Sequence, residues 1–408
     1  MKYSIVCSHC GRVIGDFAAW FDQGQQCTCG SKRVEIVYPE FDYERLKAPQ
    51  DPTADSSSQF ALYFDCLPLE SRENIVSMGE GTVPIERWPH LEEKAARNGV
   101  RCEVYVCRHD LNGGTGTFKD IGASLAASVL KEHHIQDYCL ASTGNAAVAF
   151  AAYLRKAGIR FTHFAPGYTD EETLEAVRRT GQHLVVSQGD YGAAKREAEE
   201  FSRREHVLIS GGNIDPLRIE SKRTLVFECL RQMKDIPSVY IQAVAGGTGV
   251  LAFDKGIREL KSAGYRVENP RMILVQQDEC DPMVRAWERA RENGFPDGWT
   301  RDYAPRENVH TRIHILTAAN PGNYPLLAPI VRQSGGYFLR VEERNLPAFG
   351  RDMMNHRNLL MGPASMVCYS GFCKALENGL IHNGDKVLLN TGEGCMRASW
   401  FRNEVQKF

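Results

Sequence analysis

From residue 78 onward, short apolar runs rich in β-branched and aromatic residues alternate with longer stretches of helical periodicity, and polar or glycine-containing turns separate them. Val104-Tyr105-Val106 predicts a strand and Gly122 through Leu130 an Ala- and Ser-rich helix. Tyr138-Cys139-Leu140-Ala141 predicts the next strand, Ala146 through Lys156 the next helix, and Gly158 its stop. The unit repeats with the strand Arg160 to Phe164 and the helix Glu171 through Arg179, then with His183 to Val186 and Ala193 through Arg203. Later come Val239 to Gln242, a helix starting near Val250, the strand Met272 to Val275 and a last clear strand, Lys386 to Leu389. Such alternation predicts an α/β fold, with parallel or mixed sheets covered by helices.

The first forty residues depart from that rhythm. Cys7-Ser8-His9-Cys10 makes one thiol knuckle and Cys27-Thr28-Cys29-Gly30 a second, tighter one, flanked by β-prone runs such as Arg33 to Tyr38. Two thiolate pairs on two turns can hold a structural Zn²⁺ tetrahedrally, in the manner of a zinc ribbon, and the metal then stands in for a core too small to fold alone. Four free thiols in a module that has lost its metal is the other reading. Either way Cys7, Cys10, Cys27 and Cys29 are structural, because four thiolates leave a metal no open position for substrate. Residues 41–77 are mixed in polarity, and Pro49, Pro52 and Ser56-Ser57-Ser58 predict an arm or linker.

A chain of 408 residues is long enough for two compact domains beside that appendage. Its 43% hydrophobic and 25% charged residues are those of a globular protein. A net charge of -2 gives no footprint for nucleic acid or an anionic membrane, and the Cys-rich module carries only Lys2, Arg12, Lys32 and Arg33. No run approaches the roughly 20 apolar residues of a membrane span, and the N-terminus has no apolar stretch of signal-peptide length. Thirteen cysteines, an odd number with several inside apolar runs, point to a reducing compartment rather than a disulfide framework. The expected location is the cytoplasm.

Four loops that follow predicted strands carry candidate chemistry. Gly113-Gly114-Thr115-Gly116-Thr117-Phe118-Lys119-Asp120 is not a P-loop, since the spacing differs and no Ser or Thr follows the lysine. A lysine at such a turn can be partly desolvated and act as an amine nucleophile, although a surface lysine at a helix start reads the same. In Ala245-Gly246-Gly247-Thr248-Gly249-Val250, glycines let the backbone approach an anion, and the next helix offers N–H groups and its positive end. That loop could cradle any phosphate. Ser142-Thr143-Gly144-Asn145 suits either helix capping or a bound carboxylate, and Thr391, in Asn390-Thr391-Gly392-Glu393-Gly394, reads by itself as a turn residue. Ligands of open α/β sheets bind at the carboxyl ends of strands, so the four loops together offer an amine, an anion cradle, a carboxylate site and a neutral hydroxyl.

In these motifs the chain resembles the threonine synthase branch of the fold-type II pyridoxal phosphate (PLP) enzymes, over about Gly79 to Arg397. Gly79-Glu80-Gly81-Thr82 with Pro84 resembles the family's opening motif, Thr115 to Asp120 its TGSFKD segment, Ser142 to Asn145 its SSGN loop, and Pro216 to Thr224 its PxRIEGxKT run. The resemblance implies a larger PLP-binding domain from residues 41–111 and 216–408 with an N-terminal arm, a smaller domain from 112–215, a zinc-ribbon-like module at 1–40, and a homodimer. It implies that Lys119 carries PLP as a Schiff base, that Asn145 bonds the ring hydroxyl, that Gly246, Gly247, Thr248 and Gly249 surround the phosphate, and that Thr391 faces the pyridine nitrogen. Thr115, Ser142, Thr143, Gly144 and Arg218 would hold a small amino-acid substrate. The implied reaction is elimination or replacement at Cβ or Cγ of an activated amino acid, with the displaced Lys119 amine as general base. In threonine synthase itself, O-phosphohomoserine and water give threonine and phosphate. The alternative is a relative that makes another product from O-phosphoserine or an acylated serine or homoserine, as cysteate synthase does by joining sulfite to phosphoserine.

Some positions depart from the family's pattern. Ala146 stands where a threonine would help hold a substrate phosphate, Ile121 where an arginine follows the Lys-Asp pair, and Gly113-Gly114 where Asn-Pro is expected. Gly212-Asn213-Ile214-Asp215-Pro216 replaces NSxNP and brings a carboxylate, Asp215, toward the expected anion site, where it would oppose phosphate. Arg218 remains as a clamp for an anionic group.

Overall fold

A computed structural model of the protein describes residues 2–46, 58–307 and 309–407. Residues 47–57 of the expected linker lie outside them; Ser58 caps the short helix Gln59–Leu62, its hydroxyl accepting from the Ala61 N–H at 3.2 Å. The chain falls into two compact units, Met1–Thr82 with Asn112–Phe227, and Val83–Leu111 with Glu228–Phe408. Residues 41–46, 58–82 and 216–227 thus group with the first unit, whereas the sequence expectation grouped them with the second.

The first unit opens with three antiparallel strands in the spatial order Val13–Gly15, Ser4–Cys7, Val34–Val37. Tyr3, Ile5 and Cys7 alternate inward, and Phe17 and Trp20 of the helix Phe17–Asp22 are buried with them. The main sheet of this unit is fully parallel, in the order His183–Val186, Arg160–Ala165, Asp137–Ala141, Leu208–Ile209. Helices Lys119–Glu132 and Asn145–Ala157 pack against each other and are buried on nearly every side, which their Ala- and Ser-rich sequences allow. The second ends at Gly158, whose φ of 74° makes the left-handed turn that a side chain would strain.

The second unit is built on six strands in the order Tyr337–Val341, Arg271–Gln277, Val239–Ala243, Lys386–Asn390, Glu103–Cys107, Ile85–Arg87. All pair in parallel except the edge strand Ile85–Arg87. Val104, Val106, Val239, Ile241, Ile273, Val275, Val387 and Leu389 form a buried layer with Met366, Val367 and Phe372 of the helix Pro363–Glu377. Burying each such side chain contributes roughly 1.5–3 kcal/mol. Three strands escape the sequence pattern: Ile85–Arg87 and Leu208–Ile209 are too short to show a period, and Tyr337–Val341 is broken by Arg340, whose guanidinium meets buried Asp281. No helix among the described residues is long and apolar enough to cross a membrane, and all thirteen cysteines are free thiols.

Candidate active site

Lys119 is half-buried and is the first residue of its helix. The turn before it is held by Asp120, whose buried carboxylate accepts from the Thr115 N–H (3.0 Å), the Thr115 hydroxyl (2.7 Å) and the Thr117 N–H (2.9 Å). The Lys119 N–H donates in turn to Thr117 Oγ1 at 3.1 Å. Thr115, expected to touch substrate, thus has its hydroxyl turned to Asp120. Gly113 and Gly114 answer a packing need: a Cβ on Gly114 would lie 2.5 Å from the Tyr153 hydroxyl, and one on Gly113 would lie 2.0 Å from the Met78 carbonyl oxygen. Ile121, in place of the family's arginine, is buried.

The opening motif is a brace for that helix. Fully buried Glu80 accepts from the Ser77 hydroxyl (3.1 Å), the Met78 N–H (2.8 Å) and the Tyr153 hydroxyl (2.8 Å). The Ser124 hydroxyl shares its proton between Glu80 Oε1 (2.8 Å) and the Val76 carbonyl (2.6 Å). Burial, reinforced by the Glu80 charge, pushes the Tyr153 phenol far above its ordinary range.

The loop Ser142–Asn145 joins the strand Asp137–Ala141 to the helix Asn145–Ala157, and all four of its residues are buried. Ser142 Oγ accepts from the Gly144 N–H at 3.2 Å. Its carbonyl accepts from His163 Nε2 at 2.9 Å, a contact the sequence reading missed because His163 lies on the next strand. Burial lowers the His163 pKa to about 4, so the ring is neutral and carries its proton on Nε2. Ala146 leaves that position half-buried with no polar group.

Asp215 does not stand bare at an anion site. Its carboxylate accepts from the Ser210 hydroxyl (3.0 Å), the Gly211 N–H (3.1 Å) and the Leu217 N–H (3.0 Å), with the Tyr138 hydroxyl at 3.4 Å. It therefore closes the turn into the helix Pro216–Glu228. On that helix Arg218 lays its guanidinium over the Phe150 ring, 4.8 Å from the centroid, and donates from Nη1 to the Gly212 carbonyl at 3.3 Å. Lys222, one turn on, is 4% exposed. The Lys222 and Lys119 amines lie 5.2 and 5.5 Å from the centroid of the same Phe118 ring. Nothing in the sequence singled out Lys222.

In the second unit, the strand Val239–Ala243 runs through Val244–Gly247 into the helix Thr248–Ser262. Gly247 has φ 77°, and a Cβ there would fall 2.2 Å from Leu327 Cδ1, so only glycine makes this turn. Asn323 Nδ2 pins the loop by donating to the Gly246 carbonyl at 2.7 Å. A glycine turn so fitted, opening a helix whose first N–H groups have no intrahelical acceptor, suits a phosphate. Thr391 is buried after the strand Lys386–Asn390, and its hydroxyl donates to the Cys107 carbonyl, leaving the oxygen able to accept. The residues expected to hold PLP are thus of the right chemistry: an amine, an anion turn and a neutral hydroxyl.

The ribbon gathers its four sulfurs within 4.8 Å of one another, with Cys7 and Cys29 at 3.6 Å and Cys10 and Cys27 at 3.8 Å. Tetrahedral zinc with bonds of about 2.3 Å separates its sulfurs by about 3.8 Å. The Cys10 backbone N–H draws the Cys7 thiol down to about 6 and the Cys29 N–H lowers Cys27, whereas burial and the neighbouring sulfurs push Cys29 up to about 12.

Parallel strands that end in an amine-bearing turn and in a glycine turn shaped for phosphate are the architecture of an α/β enzyme that works through a phosphorylated cofactor. The chain belongs to the pyridoxal-phosphate dependent enzyme family, which residues 76–392 match. It is similar to the threonine synthase of Methanocaldococcus jannaschii (26% identical over 373 residues, 90% of this chain and 87% of that protein). It is also similar to the threonine synthase of Methanosarcina acetivorans (25% over 391 residues, 95% and 91%). Its fold matches diaminopropionate ammonia lyase from Escherichia coli, in complex with an aminoacrylate-PLP azomethine reaction intermediate, at TM-score 0.65 and 18% identity, over 83% of this chain and 93% of that one. It matches the processed form of threonine deaminase isoform 2 from Solanum lycopersicum at TM-score 0.62 and 21% identity, over 80% and 83%.

Proposed function

We propose that this enzyme removes the leaving group of an activated amino acid and replaces it in the manner of threonine synthase, turning O-phosphohomoserine and water into threonine and phosphate. The observation that carries the reading is Lys119, half-buried on a turn locked by Asp120, in a chain similar to threonine synthases over 90% of its length. Lys119 would hold the cofactor through its amine, and that amine, when free, would take the proton from Cα of the substrate. PLP, when bound, supplies the electron sink that makes that proton removable. Gly246, Gly247, Thr248 and Gly249 would hold its phosphate, Asn145 its ring hydroxyl and Thr391 its ring nitrogen. Ser142, Thr143 and Gly144 receive the substrate carboxylate at the start of a helix, Thr115 lines the site through its turn, and Arg218 takes the leaving group. Cys7, Cys10, Cys27 and Cys29 hold a structural zinc, and the enzyme works as a cytoplasmic homodimer.

Purified protein should absorb at about 410–420 nm, and Lys119→Ala should lose the band. O-phosphohomoserine should then release phosphate and yield threonine; an intact band with no release sinks the threonine synthase reading. Ala146, which offers no hydroxyl where the family uses one, favours a second reading: replacement on O-phosphoserine or an acylated serine or homoserine. Phosphate release from O-phosphoserine alone selects it. Zinc is tested by metal analysis and by the loss of thermal stability on chelation.

A further inference from the structure

Lys222 sits in the middle of the helix Pro216–Glu228 and is 4% exposed, yet no carboxylate among the described residues forms an ion pair with it. Its amine makes one hydrogen bond, to the Arg218 carbonyl at 3.3 Å, although an ammonium has three donors. Burying a charge so poorly paired is costly, which favours the neutral amine over the ammonium. Burial first, then the positive charges of Lys119 and Arg218, hold the Lys222 amine well below the ordinary lysine value of 10.5; only Asp215 opposes them. The Asp215 carboxylate is already committed to Ser210, Gly211 and Leu217. Arg218 is short of partners too, since its Nε is buried and accepted by nothing among the described residues.

The packing opposite is equally pointed. Lys222 lies against the helix Lys119–Glu132 at Gly122, where a Cβ would come within 3.0 Å of Nζ, so the glycine leaves space for the amine. Gly122 is three residues on from Lys119, and residues three apart share a helix face. Lys119, Lys222 and Arg218 therefore converge, and Asp215, the carboxylate that acts on Lys222, is held by its own turn.

We propose that Lys222 is the second cation of the substrate site and, with Arg218, receives a dianionic phosphoryl group carried by the activated amino acid. The inference rests on Lys119 being the amine that bears PLP. Arg218 offers one positive charge and a phosphoryl ester approaches two negative charges at neutral pH. Lys222 supplies the balance by taking one proton from solvent as the dianion arrives, and releases it when the anion leaves. A monoanionic leaving group gains only the Arg218 charge, so the site selects phosphoryl over acyl or sulfonyl activation.

The PLP-loaded enzyme is titrated calorimetrically with methylphosphonate and with methanesulfonate near pH 8, in buffers of different ionisation enthalpy. Methylphosphonate should bind with more proton uptake in the wild type than in Lys222→Met, and methanesulfonate with none in either. Lys222→Met should also weaken methylphosphonate by about tenfold or more, with methanesulfonate little changed. The visible PLP band reports that each protein is folded and loaded, and Lys222→Gln is measured if the methionine variant loses it. Methylphosphonate binding without proton uptake, or uptake undiminished in Lys222→Met, overturns the inference alone. No band in the wild type overturns the PLP reading and this inference with it.

Discussion

The helix Pro216–Glu228 presents two buried cations side by side, and the protein treats them in opposite ways. Arg223, 0% exposed, pairs with Glu220 at 3.1 Å, donates to the Cys66 carbonyl and lies over the Tyr38 ring; Glu220 also accepts from the Tyr38 hydroxyl at 2.9 Å. That face fastens the N-terminal arm to the unit, and its two charges are paired with each other. Lys222, the next residue back, faces the helix that begins at Lys119 and has one backbone carbonyl for company. A buried charge that serves architecture is given its partners within the chain, whereas a buried amine that serves a ligand is left short of them. Asp215 and Glu80 belong with the first kind, each holding three or more donors.

The contrast can be broken by removing charges one at a time and following denaturant or thermal unfolding. Glu220→Ala strands Arg223 in the interior and should destabilise the protein by about 3–5 kcal/mol; a loss under about 1 kcal/mol would show that the Arg223–Glu220 pair does not hold the arm face. Lys222→Met replaces an unpaired buried amine by an apolar chain of similar length and should act with the opposite sign, stabilising by about 1–3 kcal/mol near neutral pH. Destabilisation there would mean that Lys222 has a structural partner. Asp215→Ala, which frees the donors of one turn, should cost about 1–2 kcal/mol.

The smallest effect is a pH slope. Lys222 holds its proton less tightly in the folded chain than in the unfolded one, where an ordinary lysine titrates near 10.5. The unfolded chain therefore binds more protons, so this group's contribution to stability is present above 10.5 and is lost as pH falls toward the folded pKa. Wild type should lose ground to Lys222→Met by at most about 1.4 kcal/mol per pH unit in that window. Parallel stability curves for the two proteins would contradict the depressed pKa.

Much of the molecule was legible without coordinates. Local rules, the two-residue period of strands, the helical period and the left-handed stop at Gly158, placed seven of the parallel strands between Val104 and Leu389. They also placed the helices Lys119–Glu132, Asn145–Ala157, Glu171–Arg178, Tyr191–Glu205 and Thr248–Ser262, but not the helices Pro216–Glu228, Pro282–Glu292, Tyr324–Gln333, Leu346–Arg357 and Pro363–Glu377. The same local chemistry marked Lys119 after its glycine turn, the glycine turn at Gly247 and the two cysteine knuckles, because each is a short segment whose backbone demands particular residues. Leu208–Ile209 was hidden because two residues carry no period.

Other features were decided only by segments far apart in sequence coming together. Asp215 reads as a charge that would repel phosphate until Ser210, Gly211 and Leu217 claim its oxygens. Gly113 and Gly114 read as departures from a motif until Met78 and Tyr153 are seen pressed against them. Lys222 is one lysine in a basic stretch until the fold buries it beside Lys119 and Arg218 and gives the carboxylates to its neighbours. Periodicity is written in successive residues, but the pairing of a buried charge depends on which distant groups share its low-dielectric surroundings, and only the tertiary structure chooses those.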